Sequence, residues 1–485
     1  METVAVASAG ELRRRASAPS RADLVELRLD ALEDPRDPAA FLRDCPQPAI
    51  ATCRPRWEGG GFDGSEEARE RVLGQALDAG AAYVDVEWAA ACRDRMLARA
   101  PDRVVVSLHA FDGVPSDLEA RVAAMAATPA AVVKVAVQTT RLRDLLPLVA
   151  MGDRLARRRP MVLIAMGAAG LASRIAAARF GSVWTYAGEA VAPGQLPVNR
   201  LLDEFRVDRI TPTTPLYGVL GRPVGHSVSP AMHNAAFAAV GLDAAYVPLE
   251  AVDFDDFDAV ASALGIHGAS VTAPFKEDAW RACRRTDPEA RRLGAVNTLR
   301  TAPGAGWEGL NTDVAGFLAP LAGQPLTGCR ATVLGAGGAA RAAAHALTGA
   351  GATVTVRARR SAAAETVAAL AGAEAGGLPL PARSWDLLVN ATPVGTWPRV
   401  DESPLSEGTA LDGDLVYDLV YNPAETRLMG MARAAGCAVI GGLDMLVAQA
   451  ARQFEWWTGQ TAPRGAMREA ALARLAAQSR EREQA

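Results

Sequence analysis

Along the first two hundred residues, short apolar runs recur with helix-forming stretches between them. The runs are Thr3–Ala7, Leu24–Leu29, Ala49–Arg54, Ala82–Trp88, Arg103–His109, Ala131–Val137, Met161–Met166 and Ser182–Tyr186. Their length and β-branched content mark each as a strand. Ala/Arg/Leu-rich segments such as 66–77, 117–126 and 141–157 separate most of them and read as helices. Eight strands alternating with helices predict an α/β fold whose N-terminal part is a (β/α)8 barrel; strand count favours it over an open doubly wound sheet. The polar stretch Asp203–Pro215 holds two prolines and predicts a linker.

Beyond it the α/β pattern restarts, with a strand at Tyr217–Leu220, a helix from about Pro230, a strand at Tyr246–Pro248 and another ending in Ala269-Ser270-Val271. A new unit begins at Arg330–Leu334, where a strand runs into Gly335-Ala336-Gly337-Gly338 and a helix, a Rossmann-type beginning. The expected organisation is a barrel over 1–205, a linker over 206–215, a lobe over 216–320 completed by about 443–470, a dinucleotide-binding lobe over 321–442 and a charged tail over 471–485. Arg480, Glu481, Arg482 and Glu483 close that tail, which is expected to fray.

Composition narrows the function classes. At 485 residues the chain exceeds what one core supports, and half of it is apolar. A net charge of −4 supplies no basic surplus for nucleic acid or an anionic membrane, and the run Arg13-Arg14-Arg15 is too short to change that. The six cysteines lie far apart without ligand spacing, which predicts reduced thiols in a cytoplasmic protein and no metal site. Thr3–Ala7 opens without a basic-then-apolar signal, so no targeting peptide is expected. The uncharged stretch Pro223–Leu242 carries two prolines, two histidines, two serines and Asn234, which a bilayer would leave unsatisfied; no membrane span is expected. Small molecules are the expected partners, and the residues carry no signal of oligomeric state.

In a barrel the C-terminal strand ends converge on one mouth. Those ends offer Glu26, Arg28, Arg54, Glu87, His109 and Lys134, with Arg174 and Gln195 in the last two loops. Glu26 and Arg28 share strand parity and point the same way. Lys134 lies inside the apolar run Val132–Val137, where burial should lower its pKa and free the amine to attack a carbonyl. His109 could act as general base, and Arg54 and Arg174 as forked donors to a carboxylate.

Glu26-Leu27-Arg28, Thr52-Cys53-Arg54 with Glu58-Gly59-Gly60, Asp85-Val86-Glu87, Ser107-Leu108-His109, Val133-Lys134, Met166 through Ser173-Arg174 and Ala192-Pro193-Gly194-Gln195 occur in that order. Residues 3–200 thereby resemble type I 3-dehydroquinate dehydratase. The resemblance implies a Schiff base between Lys134 and the substrate ketone, proton abstraction by His109, and loss of water to give 3-dehydroshikimate. It implies that Arg174, on the carboxylate, and Gln195 grip the substrate, and that Glu26, Arg28 and Arg54 hold hydroxyls and order the site. Ala110 stands where an acidic or amide residue commonly follows the histidine, and Val191 where a Ser or Thr often precedes the APGQ turn.

In the second half the polar clusters are Gly225-His226-Ser227-Val228-Ser229-Pro230, Ser270-Val271-Thr272 to Lys276, Ala295-Val296-Asn297-Thr298 and Asn311-Thr312-Asp313. Their hydroxyls and amides suit a polyol, with Lys276 and Asp313 among them. Helix capping alone explains one of the two serines. The turn Gly335-Ala336-Gly337-Gly338-Ala339-Ala340 opens a helix whose N-terminus suits a pyrophosphate. The strand Thr353–Val356 ends in Arg357-Ala358-Arg359-Arg360, with no acidic residue for a free ribose hydroxyl; guanidinium groups suit the 2′-phosphate of NADP.

With Asn390-Ala391-Thr392-Pro393-Val394-Gly395, Tyr417-Asp418 to Tyr421-Asn422-Pro423, and Gly442 through Met445-Leu446 to Gln449, residues 215–470 resemble shikimate dehydrogenase. The resemblance makes Ser227, Ser229, Thr272, Asn297, Asp313, Tyr421 and Gln449 substrate contacts and Lys276 with Asp313 the proton-handling pair. The cofactor would lie on Gly335, Gly337, Gly338, Ala339, Arg357, Arg359, Arg360, Thr392 and Gly442. Ser270, Thr396 and Ala358 depart from the residues common at their positions. Together the halves imply a bifunctional enzyme in which one reaction's product is the next one's substrate. Two rivals are a catabolic quinate/shikimate dehydrogenase using NAD, and a metabolite-sensing regulator built from inactive copies. The second is opposed by the presence of Lys134, His109, Lys276 and Asp313.

Overall fold

The computed structural model describes residues 2–7, 21–32, 38–43, 45–188, 194–302, 304, 306–406 and 408–483. Arg13-Arg14-Arg15, Val191, Ala192 and Pro193 lie outside the described residues. Two compact units form, residues 1–225 with 243–266 and residues 226–242 with 267–485.

In the first unit the eight expected runs fold as β1 (Glu2–Ala7), β2 (Leu24–Arg28), β3 (Ala49–Thr52), β4 (Tyr83–Glu87), β5 (Val104–Ala110), β6 (Val132–Gln138), β7 (Met161–Met166) and β8 (Trp184–Ala187). Every pairing is parallel, in the order β7-β6-β5-β4-β3-β2-β1-β8. Ser182 bridges to Met161, and Val183 N donates to Met161 O at 2.8 Å, which closes the circle. Strands covered on both faces read as continuous apolar runs, and β6 is buried from Val132 to Val137.

The interior is layered by strand parity. Val4, Leu24, Ile50, Val105, Val132, Val162 and Trp184 cluster with Tyr83. Two residues further along β2 to β6 stand Glu26, Thr52, Asp85, Ser107 and Lys134, on the same strand faces. A polar layer thus rests directly on an apolar floor. Two residues further again come Arg28, Arg54, Glu87 and His109, the mouth.

A parallel pair, β9 (Leu216–Gly221) and β10 (Ala245–Glu250), and the helix Phe254–Leu264 belong to this unit as well. The Asp253 side chain caps that helix, and buried Asp256 accepts from Leu142 N and Arg143 N at 3.0 and 2.8 Å. The stretch 206–215 also lies within the unit, with Val207 and Ile210 buried.

The second unit holds β11 (Ile266–Val271), β12 (Cys283–Thr286), β13 (Thr298–Thr301) and β14 (Trp307–Leu310). Beside them lies a parallel sheet of β15 (Arg330–Leu334), β16 (Thr353–Arg357), β17 (Glu374–Gly376), β18 (Leu387–Asn390), β19 (Leu415–Asp418) and β20 (Ala438–Gly441). Its order, β17-β16-β15-β18-β19-β20, reverses between β15 and β18, where such sheets open a ligand crevice. The expected fraying of the tail is not found: Arg464–Glu483 is one 20-residue helix. Met467, Ala471, Leu475 and Gln478 recur at helical spacing and are buried, and the helix packs on the helix Ser229–Ala239. Of its charged residues, Arg474 is itself buried and is forked onto Glu481 at 2.7 and 3.3 Å.

Candidate active sites

In the barrel seven of the eight residues expected at the mouth, Glu26, Arg28, Arg54, His109, Lys134, Arg174 and Gln195, line one cavity of about 120 Å³ with Glu58, Phe111, Met166 and Tyr186, while Glu87 is fully buried outside its lining. Lys134 Nζ donates to Asp85 Oδ2 at 2.9 Å and to Glu26 Oε1 at 3.1 Å, and lies 4.3 Å from the centre of the Tyr186 ring. Here the expectation of a lowered pKa fails. Burial does disfavour the ammonium, but the carboxylates of Asp85 and Glu26 outweigh it and raise the pKa above the ordinary lysine value. Free Lys134 is therefore a cation.

His109 moves the other way. Burial, and then the nearby charges of Arg54 and Lys134, lower its pKa well below the usual value, so the imidazole is neutral. Its Nδ1 lies 2.9 Å from Glu58 Oε1, and its backbone N donates to the same oxygen at 2.9 Å. Burial raises the Glu58 carboxyl to about 7. Thus Glu58 orients the ring whose following residue is Ala110.

Arg54 gives its donors to Ser107 Oγ (2.9 Å), Glu87 Oε1 (2.8 Å) and Asp85 Oδ1 (3.0 Å), while Arg69, on the helix Glu66–Asp78, holds the other Glu87 oxygen. Arg28 is forked onto Asp30 at 2.9 and 2.8 Å. Arg174 differs from both. It is buried, its Nε has no partner, and burial alone lowers its pKa to about 10, with no carboxylate of the described residues acting on it. A buried cation of this kind lining a cavity calls for an anion. Sequence reasoning assigned no role to Asp85, Glu58 or Tyr186. The signal for Asp85 was parity, since it shares a strand face with Glu87 one layer deeper.

In the second unit Lys276 Nζ donates to Asp313 Oδ2 at 2.6 Å. Asn297 Nδ2 faces Asp313 Oδ1 (2.7 Å), Thr312 Oγ1 (2.9 Å) and Gln449 Oε1 (3.0 Å). Lys276, Asp313 and Thr272 line a cavity of about 360 Å³ together with Gly338, Ala339 and Arg341 of the helix Gly338–Gly349. Lys276, Asp313 and the last glycine of the turn therefore open into one space. Ser227, Ser229, Asn297, Tyr421 and Gln449 are not among its lining residues. Ser227 Oγ accepts from Ser229 N at 3.2 Å on the loop entering the helix Ser229–Ala239, and Tyr421 follows β19. Ser270 bonds Gln453 Oε1 at 2.7 Å. Arg341, not singled out from the sequence, donates to Glu277 and to Leu293 O.

The glycine turn fits a dinucleotide. Gly335 has φ +118° and a Cβ there would stand 2.8 Å from Ala391 O, whereas Gly337 and Gly338 face open space. Thr392 Oγ1 donates to Asn390 Oδ1 at 2.7 Å and shapes the facing turn. At Gly442 a Cβ would strike Leu419 O at 2.3 Å, so only glycine fits. Arg359 and Arg360 are exposed at the end of β16; Arg357 Nη1 instead donates to Gly377 O at 2.5 Å.

Comparison with known proteins agrees with both halves. The type I 3-dehydroquinase family matches residues 3–212, the shikimate dehydrogenase substrate binding domain residues 219–299, and the shikimate 5′-dehydrogenase C-terminal domain residues 442–472. A bifunctional 3-dehydroquinate dehydratase/shikimate dehydrogenase of Arabidopsis thaliana, named as chloroplastic, is 35% identical, the match covering 91% of this chain and 79% of that one. The chain belongs to this bifunctional family. An NADP(+) shikimate dehydrogenase of Moorella thermoacetica is 46% identical over 53% of this chain and 92% of its own. A solved shikimate dehydrogenase in complex with NADP+ superposes with a TM-score of 0.51 at 34% identity, covering 54% of this chain and 96% of that one. No helix among the described residues is long and apolar enough to cross a membrane.

Proposed function

We propose that this bifunctional enzyme dehydrates 3-dehydroquinate in the barrel, residues 1–205, through Lys134 and His109. Lys276 and Asp313 then serve the NADPH-dependent reduction of 3-dehydroshikimate to shikimate. The carrying observation is that each lysine shares a cavity with the groups its chemistry requires: Lys134 with His109 and Arg174, Lys276 with Asp313 and the glycine turn.

Lys134 must lose a proton to attack the ketone. The iminium that replaces its ammonium, with release of water, keeps a positive charge beside Asp85 and Glu26, so the same carboxylates stabilise it. Neutral His109 then takes the proton from the adjacent carbon and gives it to the departing hydroxyl, which leaves as water, with Arg174 holding the carboxylate and Gln195, Glu26, Arg28 and Arg54 shaping the site. Hydrolysis of the imine returns Lys134.

The substrate of the second reaction would lie against Ser227, Ser229, Thr272, Asn297, Tyr421 and Gln449, all of which belong to the second unit. The residues that would hold the cofactor are in 321–442: Gly335, Gly337, Gly338 and Ala339 for the pyrophosphate, Arg359 and Arg360 for the 2′-phosphate, with Arg357 engaged on Gly377 O, and Thr392 and Gly442 beside the remainder. NADPH, when bound, supplies the hydride. Lys276, held by Asp313, polarises the carbonyl and gives its proton as alkoxide charge develops. A cytoplasmic setting is part of the same proposal and is supported by six free cysteines. Borohydride added with dehydroquinate should trap a covalent adduct on Lys134, read by peptide mass spectrometry; an unmodified Lys134 would overturn the dehydratase assignment.

A further inference from the structure

The helix Arg464–Glu483 carries a polar residue on its buried face. Met467, Ala471 and Leu475 define an apolar stripe, and the next position on it is Gln478, 3% exposed. A glutamine there is tolerated only if both ends of its amide are bonded. Its Nε2 donates to His226 O at 2.9 Å, and its Oε1 accepts from Asn422 Nδ2 at 3.1 Å. His226 immediately precedes Ser227; Asn422 immediately follows Tyr421. One turn further on, Arg482 donates to Asn422 Oδ1 at 3.3 Å and lies 4.3 Å above the Trp397 ring. Trp397 N and Thr396 Oγ1 both donate to Asn422 O at 3.0 Å, so the 396–397 and 421–422 loops form one piece.

We infer that Gln478 is a positioning residue for hydride transfer: with Arg482 it clamps the loop bearing Ser227 to the loops bearing Tyr421 and Thr396. This rests on reading the unit as the dehydrogenase. On that reading, substrate held by Ser227 and Ser229 and a nicotinamide beside Gly442 would meet across those loops. A donor–acceptor distance set by them is sensitive, since a misplacement of about 1 Å costs on the order of 10²-fold in rate. A glutamine that merely anchored the helix would change the unfolding temperature and leave the chemical step alone.

The test is full-length Gln478→Leu and Arg482→Ala, assayed with dehydroshikimate and with NADPH carrying deuterium at the transferred position. In Gln478→Leu, kcat should fall about tenfold with little change in either KM, and the isotope effect on kcat should rise as the chemical step becomes limiting. Arg482→Ala, a half-buried site near the end of the helix, should lower kcat about two- to fivefold in the same sense with an unchanged unfolding midpoint. If Gln478→Leu does not fold, Arg482→Ala decides. Unchanged kcat and isotope effect in the folded variants would overturn the clamp while leaving the dehydrogenase reading intact. A wild-type chain that fails to oxidise NADPH with dehydroshikimate would remove that reading, and the clamp with it.

Discussion

Replacing Arg174 with methionine should stabilise the barrel while disabling it. Burial lowers the Arg174 pKa from the ordinary arginine value to about 10, and no carboxylate of the described residues offsets it. That gap corresponds to about 3 kcal/mol disfavouring the charged folded form. The folded pKa is depressed, so at pH 7 the cost is present in full; it would disappear only as pH rises from about 10 through the ordinary arginine value. Methionine keeps an unbranched chain of similar length without the charge, so most of the cost should be recovered, about 2 kcal/mol after imperfect packing. For a barrel of this size that is a rise of roughly 4–8 °C in its unfolding transition. The assay is calorimetry of the full chain, reading the transition that the borohydride-trapped adduct displaces. In parallel, dehydratase kcat/KM should fall by at least about 10²-fold, the size of a lost buried charge pair to a substrate carboxylate. A variant less stable than wild type by about 1 kcal/mol, or one that keeps its kcat/KM, would refute the reasoning, because Arg174 would then be a structural anchor.

Two further predictions concern charge. Glu58 titrates near 7 while His109 stays neutral, so below that pH a protonated Glu58 donates to Nδ1 and leaves Nε2 carrying its proton, unable to accept another. Dehydratase activity should fall as pH drops through about 7, and Glu58→Gln should abolish that inflection in the pH–rate profile. Because the folded pKa lies above the ordinary 4.5, the wild-type chain should also lose roughly 3 kcal/mol of stability as pH rises from 4.5 to about 7, a slope the variant lacks in urea titrations. Arg359→Asp combined with Arg360→Ala should raise the KM for NADPH at least about tenfold and leave that for NADH nearly unchanged; equal effects on both cofactors would remove the arginines from 2′-phosphate recognition.

The barrel was legible because parallel strands buried on both faces read as uninterrupted apolar runs, and parity then brought Glu26, Lys134 and His109 to one mouth. The charge state of Lys134 was not legible. It is decided by Glu26, 108 positions away, and Asp85, 49 positions away, and one strand seen alone shows only its own burial. Glu58 reaches His109 across 51 residues by way of a loop, a closure that no periodicity announces. The final helix was mistaken for a tail because its charges are local while its partner, the helix Ser229–Ala239, lies more than two hundred residues upstream. In the second unit the lysine, the aspartate and the glycine turn were each visible as short motifs. That they open into one cavity is a fact of the fold.

The most direct measurement supplies the full-length chain with dehydroquinate and NADPH and follows shikimate and NADPH together. Wild type should form one shikimate for each NADPH consumed. Lys134→Ala should do so only when dehydroshikimate replaces dehydroquinate, and Lys276→Ala should accumulate dehydroshikimate with NADPH unspent. Shikimate formed from dehydroquinate at wild-type rate by either variant would contradict the assignment of two lysines to two successive reactions.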